Sequence, residues 1–336
     1  MTAKNLLCLV SACVVVLGAG RAYATELFLE RESVRQYIKT LSVERDLDEA
    51  RITQLFTDLE SQDSILEAIS RPAERRLTWR EYRPIFIKQK RIDLGRQFLA
   101  DHSALLARAE NEYGVPQHII AAIIGVETFY GRITGKHGVL ESLATLAFDY
   151  PPRATFFRAE LGEFLALSES EGWDTASLKG SYAGAMGLPQ FISSSYREYS
   201  VDFDGDGRRD LFNSTADAIG SVANYLARHG WVEGAPIAAR WSQAKKGSTA
   251  FKALLSDSLK PSVTPESVKK LGFDSPSLTA GTADGRLLSV MLLKGAKGEE
   301  AWVGYKNFYA ITRYNHSRLY AMAVIQLADA LRESSS

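Results

Sequence analysis

Glu127 closes a stretch in which no residue from Ile119 to Val126 carries a charge. On a helix, Ile120, Ile123, Ile124 and Glu127 fall at i, i+3, i+4 and i+7, so the carboxyl shares the most apolar face. Glutamate is seldom buried without a partner, and a low-dielectric setting favours the neutral acid over the carboxylate. An acid kept protonated near neutral pH can pass its proton to a leaving oxygen, the step that breaking a glycosidic bond requires. Thr128, Phe129, Tyr130 and Gly131 follow, offering hydroxyls, an aromatic face and close backbone approach, features suited to a sugar. The pattern alone also admits a glutamate that ends its helix in water or pairs with an arginine.

Two further stretches carry chemistry. VDFDGDGRRDLFNSTAD places Asp202, Asp204 and Asp206 at positions 1, 3 and 5 and Gly207 at position 6, the front half of an EF-hand calcium loop. There Arg208 would contribute its backbone carbonyl and Asp210 falls at position 9, but position 12 is Asn213 instead of a bidentate glutamate. GSYAGAMGLPQF, Gly180 to Phe191, combines three glycines, a methionine and Gln190. Glycine lets backbone approach a ligand, and a glutamine amide both donates and accepts, though a plain glycine-rich turn reads the same way. Most glycosidases pair two carboxylates. Glu141, Asp149, Glu160 and Glu163 all lie in amphipathic helical patterns, and nothing singles one out. The five histidines form no H-E-x-x-H pair; phosphate-loop and dinucleotide fingerprints are absent, and the serine of GSYAG is displaced from a nucleophile elbow.

The elements that must position these residues read as mainly helical. LDEARITQLFTDLES puts Leu47, Ile52, Leu55, Phe56 and Leu59 on one stripe, and residues 85–113 look like one long helical stretch ended by Gly114. Pro116 suits the first position of the Glu127 helix. Two helical patterns follow Gly131, split by Pro151 and Pro152; residues 172–213 read as loops around a site, and STADAIGSVANYLARHG returns to helix with Gly230 as its stop. After Trp231, APIAARW, RLLSVMLLKG and EEAWVGYKNFYAITRY look like strands, before a last helix over about residues 317–331.

The chain of 336 residues is 46% hydrophobic and 24% charged with zero formal net charge, so neither nucleic acid nor an acidic membrane surface is an obvious partner. Its start, MTAKNLLCLVSACVVVLGAGRAYA, reads as a secretory signal cleaved after Ala24. Val10-Ser11-Ala12-Cys13 also resembles a lipid-attachment box, the less favoured alternative. Cys8 and Cys13 are the only cysteines, so the processed chain has no disulfide or thiol chemistry, and losing Lys4 and Arg21 takes its net charge to −2. An exported protein of the bacterial periplasm or cell envelope is expected.

GVETFYG, TGKHGVLESLATLAFDYPPRATFF, GSYAGAMGLPQF, VDFDGDG, DAIGSVANYLARHGW and NFYAITRYNHSRLYAMAV together resemble the lytic murein transglycosylase B family, peptidoglycan-cleaving enzymes with a lysozyme-like core. The matching segments run in order from Gly125 to Trp231 and resume over Asn307–Val324. The resemblance implies an α+β, predominantly α fold: signal 1–24, N-terminal helical domain 25–113, lysozyme-like core 114–231, small β-rich domain 232–306 and a segment 307–336 that returns to the core. It implies that Glu127 alone protonates the oxygen between N-acetylmuramic acid and N-acetylglucosamine, then acts as base while the muramic 6-hydroxyl attacks its own anomeric carbon to give a 1,6-anhydro product. By the same match Ser181, Met186 and Gln190 line the saccharide groove, Tyr225 stands near the glutamate, and Tyr309 and Tyr314 are groove tyrosines. Arg153 is a further candidate for contacting substrate. Asp217 would close a structural calcium site with Asp202, Asp204, Asp206 and Arg208, although Ser214-Thr215-Ala216-Asp217 also resembles a helix capping box. No organic cofactor is expected, and peptidoglycan glycan strands are the expected partner. Two other readings stand: a hydrolytic muramidase on the same scaffold, and a non-catalytic, calcium-stabilised peptidoglycan-binding protein.

Overall fold

A computed structural model describes residues 27–71, 76–281 and 286–333. The proposed signal and Cys13 lie outside them. The helix Gln117–Thr128 is the centre of the molecule. Every residue from Ile119 to Val126 is buried, because the helices Gln89–Asp101, Ser103–Tyr113, Thr215–Arg228 and Arg318–Arg332 pack around it. The expected single apolar stripe is therefore replaced by burial on all sides, which explains why the charge-free run is continuous instead of periodic. Gly114, in the left-handed region at φ 69°, ends the preceding helix, and Pro116 stands one position earlier than expected, as the cap before Gln117.

Other local expectations shift with tertiary packing. Residues 85–113 do not form one helix; Trp79–Phe86, Gln89–Asp101 and Ser103–Tyr113 are separate, with turns at Ile87 and His102. In the LDEARITQLFTDLES stretch the helix spans only Glu49–Leu55, with Asp48 accepting hydrogen bonds from the amides of Ala50 and Arg51. Phe56 and Leu59 lie beyond it yet are still buried, so apolar spacing marked the core but overran the helix. Val139–Asp149 and Ala154–Ser170 pack together, and Asp63–Ser70 packs on the first of them. The helices before Gly114 and those after it share one hydrophobic core, which extends from Phe28 to Leu331.

A second core, with Trp241, Phe251, Phe273, Val290 and Val303 among its members, lies under a three-stranded antiparallel sheet. Gly298–Gly304 is its middle strand, flanked by Ala238–Arg240 and Ser289–Gly295. The strand pattern expected through Tyr314 stops at Gly304: Lys306–Tyr314 is a helix that buries Asn307, Phe308, Ala310, Ile311 and Thr312. Its β-branched and aromatic residues favour strands in isolation, but packing against the main helices decides otherwise. A short ladder pairs His137 with Gly180 and Gly138 with Lys179 at the start of the glycine-rich loop, whose Leu188 carbonyl accepts from Thr128 beside Glu127.

Candidate active site

Glu127 is the penultimate residue of the buried helix and stands at its surface-facing end, half-buried. The chain then makes three consecutive left-handed residues, Phe129 (φ 54°), Tyr130 (φ 60°) and Gly131 (φ 80°). Such backbone is costly for non-glycine residues and persists only where surrounding contacts impose it. Those contacts are visible. The buried Thr128 hydroxyl bonds the carbonyls of Ile124 and Leu188, at 3.2 and 2.9 Å, and accepts from the Gly131 amide at 3.0 Å. The Tyr130 ring packs on Gly125 and Gly95, where an added Cβ would overlap it. Thr128 and Tyr130 therefore do not offer hydroxyls to a sugar, as the sequence had suggested. They are the buried wedge and tie that fix Glu127.

The glutamate is held from across the core. Tyr320, in the helix Arg318–Arg332, donates to Glu127 Oε1 at 2.5 Å. Burial, first, and then the Glu127 charge push the hydroxyls of both Tyr320 and Tyr314 well above the usual tyrosine range, so both stay protonated as donors. The Tyr314 ring stacks on that of Tyr320 (centroids 6.3 Å, 10°), and its hydroxyl donates to the Pro189 carbonyl at 2.6 Å. Tyr225 lies 4.8 Å from Tyr314 and 5.5 Å from Phe191, and donates to the Arg313 carbonyl at 2.6 Å. An aromatic wall thus runs from the carboxylate outward. Sequence reasoning missed Tyr320; it lay inside the NHSRLYAMAV match, and nothing local distinguished it from a core tyrosine.

The glycine-rich loop forms the adjoining surface. Gln190 is itself left-handed (φ 52°), and its amide nitrogen donates to the carbonyls of Thr134 and Gly187, both at 2.9 Å. Both amide protons are committed, which leaves the side-chain oxygen as an acceptor. The Ser181 hydroxyl accepts from the amides of Ala183 and Ala185 and keeps its own proton to donate. Met186 is fully buried, its backbone exchanging two hydrogen bonds with Phe191. Arg153 is exposed, with its guanidinium 4.1 Å above the Phe156 ring. The ring of Tyr309 contacts Lys306 Nζ at 5.7 Å.

In the acidic loop, carboxylate oxygens of Asp202, Asp204 and Asp217 lie within 4.8 Å of one another. Asp217 is completely buried, and burial raises its carboxyl above the usual range, with Asp204 adding to the effect. Its oxygens accept from the amides of Phe203 and Asp210, both at 2.7 Å, while Ser214, not Asp217, caps the following helix. Asp206 is not among the converging carboxylates; its Oδ1 accepts from the Arg208 amide at 2.9 Å. Asp210 is taken up by Asn213. Three hard oxygen donors, one buried, fit a calcium ion.

The chain matches the transglycosylase SLT domain model over residues 30–329. It is 38% identical over 314 residues to the membrane-bound lytic murein transglycosylase B of Escherichia coli (strain K12), covering 90% of this chain and 84% of that protein. The crystal structure of the soluble lytic transglycosylase SltB1 of Pseudomonas aeruginosa superposes with a TM-score of 0.81 at 47% identity, over 89% of this chain and 98% of that one. A lytic transglycosylase of Escherichia coli in complex with calcium superposes with a TM-score of 0.79 at 37% identity, over 90% and 94% of the two chains.

Proposed function

From the premise that the chain belongs to the transglycosylase SLT domain family, and is a lytic transglycosylase acting on peptidoglycan, we propose that Glu127 is its single acid and base. The proton of Glu127 goes to the oxygen joining C1 of N-acetylmuramic acid to N-acetylglucosamine, and the C1–O bond breaks. The resulting carboxylate then takes the proton of the muramic 6-hydroxyl as O6 bonds to C1, which gives the 1,6-anhydro ring without water. Tyr320, donating to Glu127 Oε1, holds the carboxyl in place. Ser181, Gln190, Tyr225, Tyr314, Tyr309 and Arg153 contact the glycan, and Met186 holds the loop that carries the first two.

The observation that carries this reading is Glu127 itself, at the end of a helix buried from Ile119 to Val126 and fixed by Tyr320 at 2.5 Å. Mass spectrometry of purified peptidoglycan treated with the protein, beside a Glu127→Gln variant, tests it. Anhydro-muropeptides are expected from the parent enzyme and at least about 1,000-fold less from the variant, the scale lost with an essential acid. Reducing-end products would instead assign water as the attacking group.

We also propose that Asp202, Asp204 and Asp217 hold a structural calcium ion, with Asp206 and the Arg208 carbonyl as further oxygen donors. The ion supplies charge neutralisation to the loop. Residues 1–24 act as the export signal that brings the enzyme to its substrate in the periplasm.

A further inference from the structure

Tyr320 takes its place from the first turn of the helix Arg318–Arg332, in which it is the third residue. Within that turn the Ser317 hydroxyl accepts from the Tyr320 amide at 3.3 Å. Arg318 holds the first position, where the positive end of the helix dipole disfavours a cation and no acidic residue shares the turn. Helix formation therefore does not account for an arginine there. Its half-buried guanidinium instead reaches out of the helix, and Nη2 donates to the carbonyls of Ser256 and, at 3.0 Å, Ser258, 62 and 60 positions earlier. Those carbonyls belong to the β-rich segment. The loop between Leu255 and Val263 is pinned at both ends, since Leu255 bridges Val290 and Val263 bridges Leu288, just before the strand Ser289–Gly295. Phe251, in the short helix Thr249–Lys252 ahead of the loop, is buried in the second core. The same strand packs on the helix Trp79–Phe86, which packs in turn on Arg318–Arg332.

Hydrogen bonds from a charged donor are stronger than neutral ones, and this pair acts on the turn that carries the Tyr320 hydroxyl. A displacement of about 1 Å is enough to spoil catalytic alignment. We propose that Arg318 is a positioning residue for the cleavage: by fastening the first turn of its helix to the loop at 256–258, it sets the Tyr320 hydroxyl on Glu127 and ties the β-rich segment to the geometry of the acid. This rests on the reading of Glu127 as that acid.

A double-mutant cycle of Arg318→Gln and Tyr320→Phe, read as kcat and KM on isolated glycan strands, tests it. Arg318→Gln alone is expected to lower kcat about fivefold to tenfold with KM little changed, the scale of one hydrogen bond. In the Tyr320→Phe background the same substitution should cost almost nothing further, because the bond it positions is already gone. Arg318→Lys keeps a charged donor but not the planar fork, and should recover part of the loss. The limb of the pH–kcat profile set by Glu127 should move to higher pH in Arg318→Gln and Tyr320→Phe alike, since each weakens donation to the carboxylate. Additive losses in the cycle, a loss confined to KM, or an unchanged kcat and pH profile in a variant that merely melts lower would overturn the assignment. Rates are taken well below the melting midpoint of each variant, and if Arg318→Gln does not fold, Arg318→Lys completes the cycle in its place. Glu127→Gln in the same assay reads the acid separately. Activity retained there removes Glu127 from its role, whereas additivity beside an inactive Glu127→Gln removes only Arg318.

Discussion

Glu127 works through its neighbours. Tyr320 donates to the carboxyl, and its own hydroxyl is desolvated, so the bond exchanges little with water. Hydrogen bonds to a charged group contribute about 1.5–3 kcal/mol. Tyr320→Phe is therefore expected to lower kcat about tenfold to a hundredfold with little change in KM, since the phenyl ring preserves the stack on Tyr314 while the donor is lost. Steady-state kinetics on isolated glycan strands checks this; a change confined to KM would assign Tyr320 to substrate binding instead.

The helix Gln117–Thr128 holds the acid rigid because it is enclosed, and its end is bent back by the left-handed turn through Gly131. Tyr130 cannot retreat from Gly125, since Gly95 stands on its other side. Gly125→Ala gains about 1 kcal/mol of helix propensity but overpacks that contact at a cost of about 1–3 kcal/mol. The expected result is a net loss in urea denaturation and a fall in kcat. At the other end of the helix, burial first, and then Arg332, depress His118 to about 4 from 6.5, while Glu110 opposes them. Between those values the unfolded chain binds the proton and the folded chain does not, so this contribution is present above pH 6.5 and is lost as pH falls towards 4. Denaturation midpoints measured from pH 7 to 4 should fall in that window, and His118→Gln should flatten the slope.

Across the whole molecule, hydrogen bonds connect the acidic loop to Thr128, the neighbour of Glu127. The Leu188 amide donates to the Leu211 carbonyl at 2.8 Å, and the Leu188 carbonyl accepts from Thr128 at 2.9 Å, one residue from Glu127. Arg108 packs on Phe203 of the same loop and donates to its carbonyl. An ion held by Asp202, Asp204 and Asp217 would therefore order the Leu188 segment beside Glu127 as well as the loop. At a hundredfold excess over its Kd, calcium would add about 2.7 kcal/mol to stability. Chelation is expected to lower both Tm and activity in the parent protein, with recovery on adding calcium. Asp217→Asn should melt low and respond to neither treatment, and identical melting with and without chelator would remove the ion from this account.

The place of Glu127 at the end of an apolar helix, the acidic loop, the helical bulk and the β-rich segment were legible in the sequence, because each depends on residue types at short spacing. A lone carboxylate after eight uncharged residues and a D-x-D-x-D-G run are local signals. Partners distant in the chain left no such signal. Tyr320 reaches Glu127 across 193 positions, and Thr128 reaches Leu188 across 60. The roles of Thr128 and Tyr130 as tie and wedge and the helical state of Lys306–Tyr314 were likewise decided by packing. Sequence spacing records which face of an element is apolar; only the tertiary structure chooses which distant face meets it, and the geometry around Glu127 is made at that meeting.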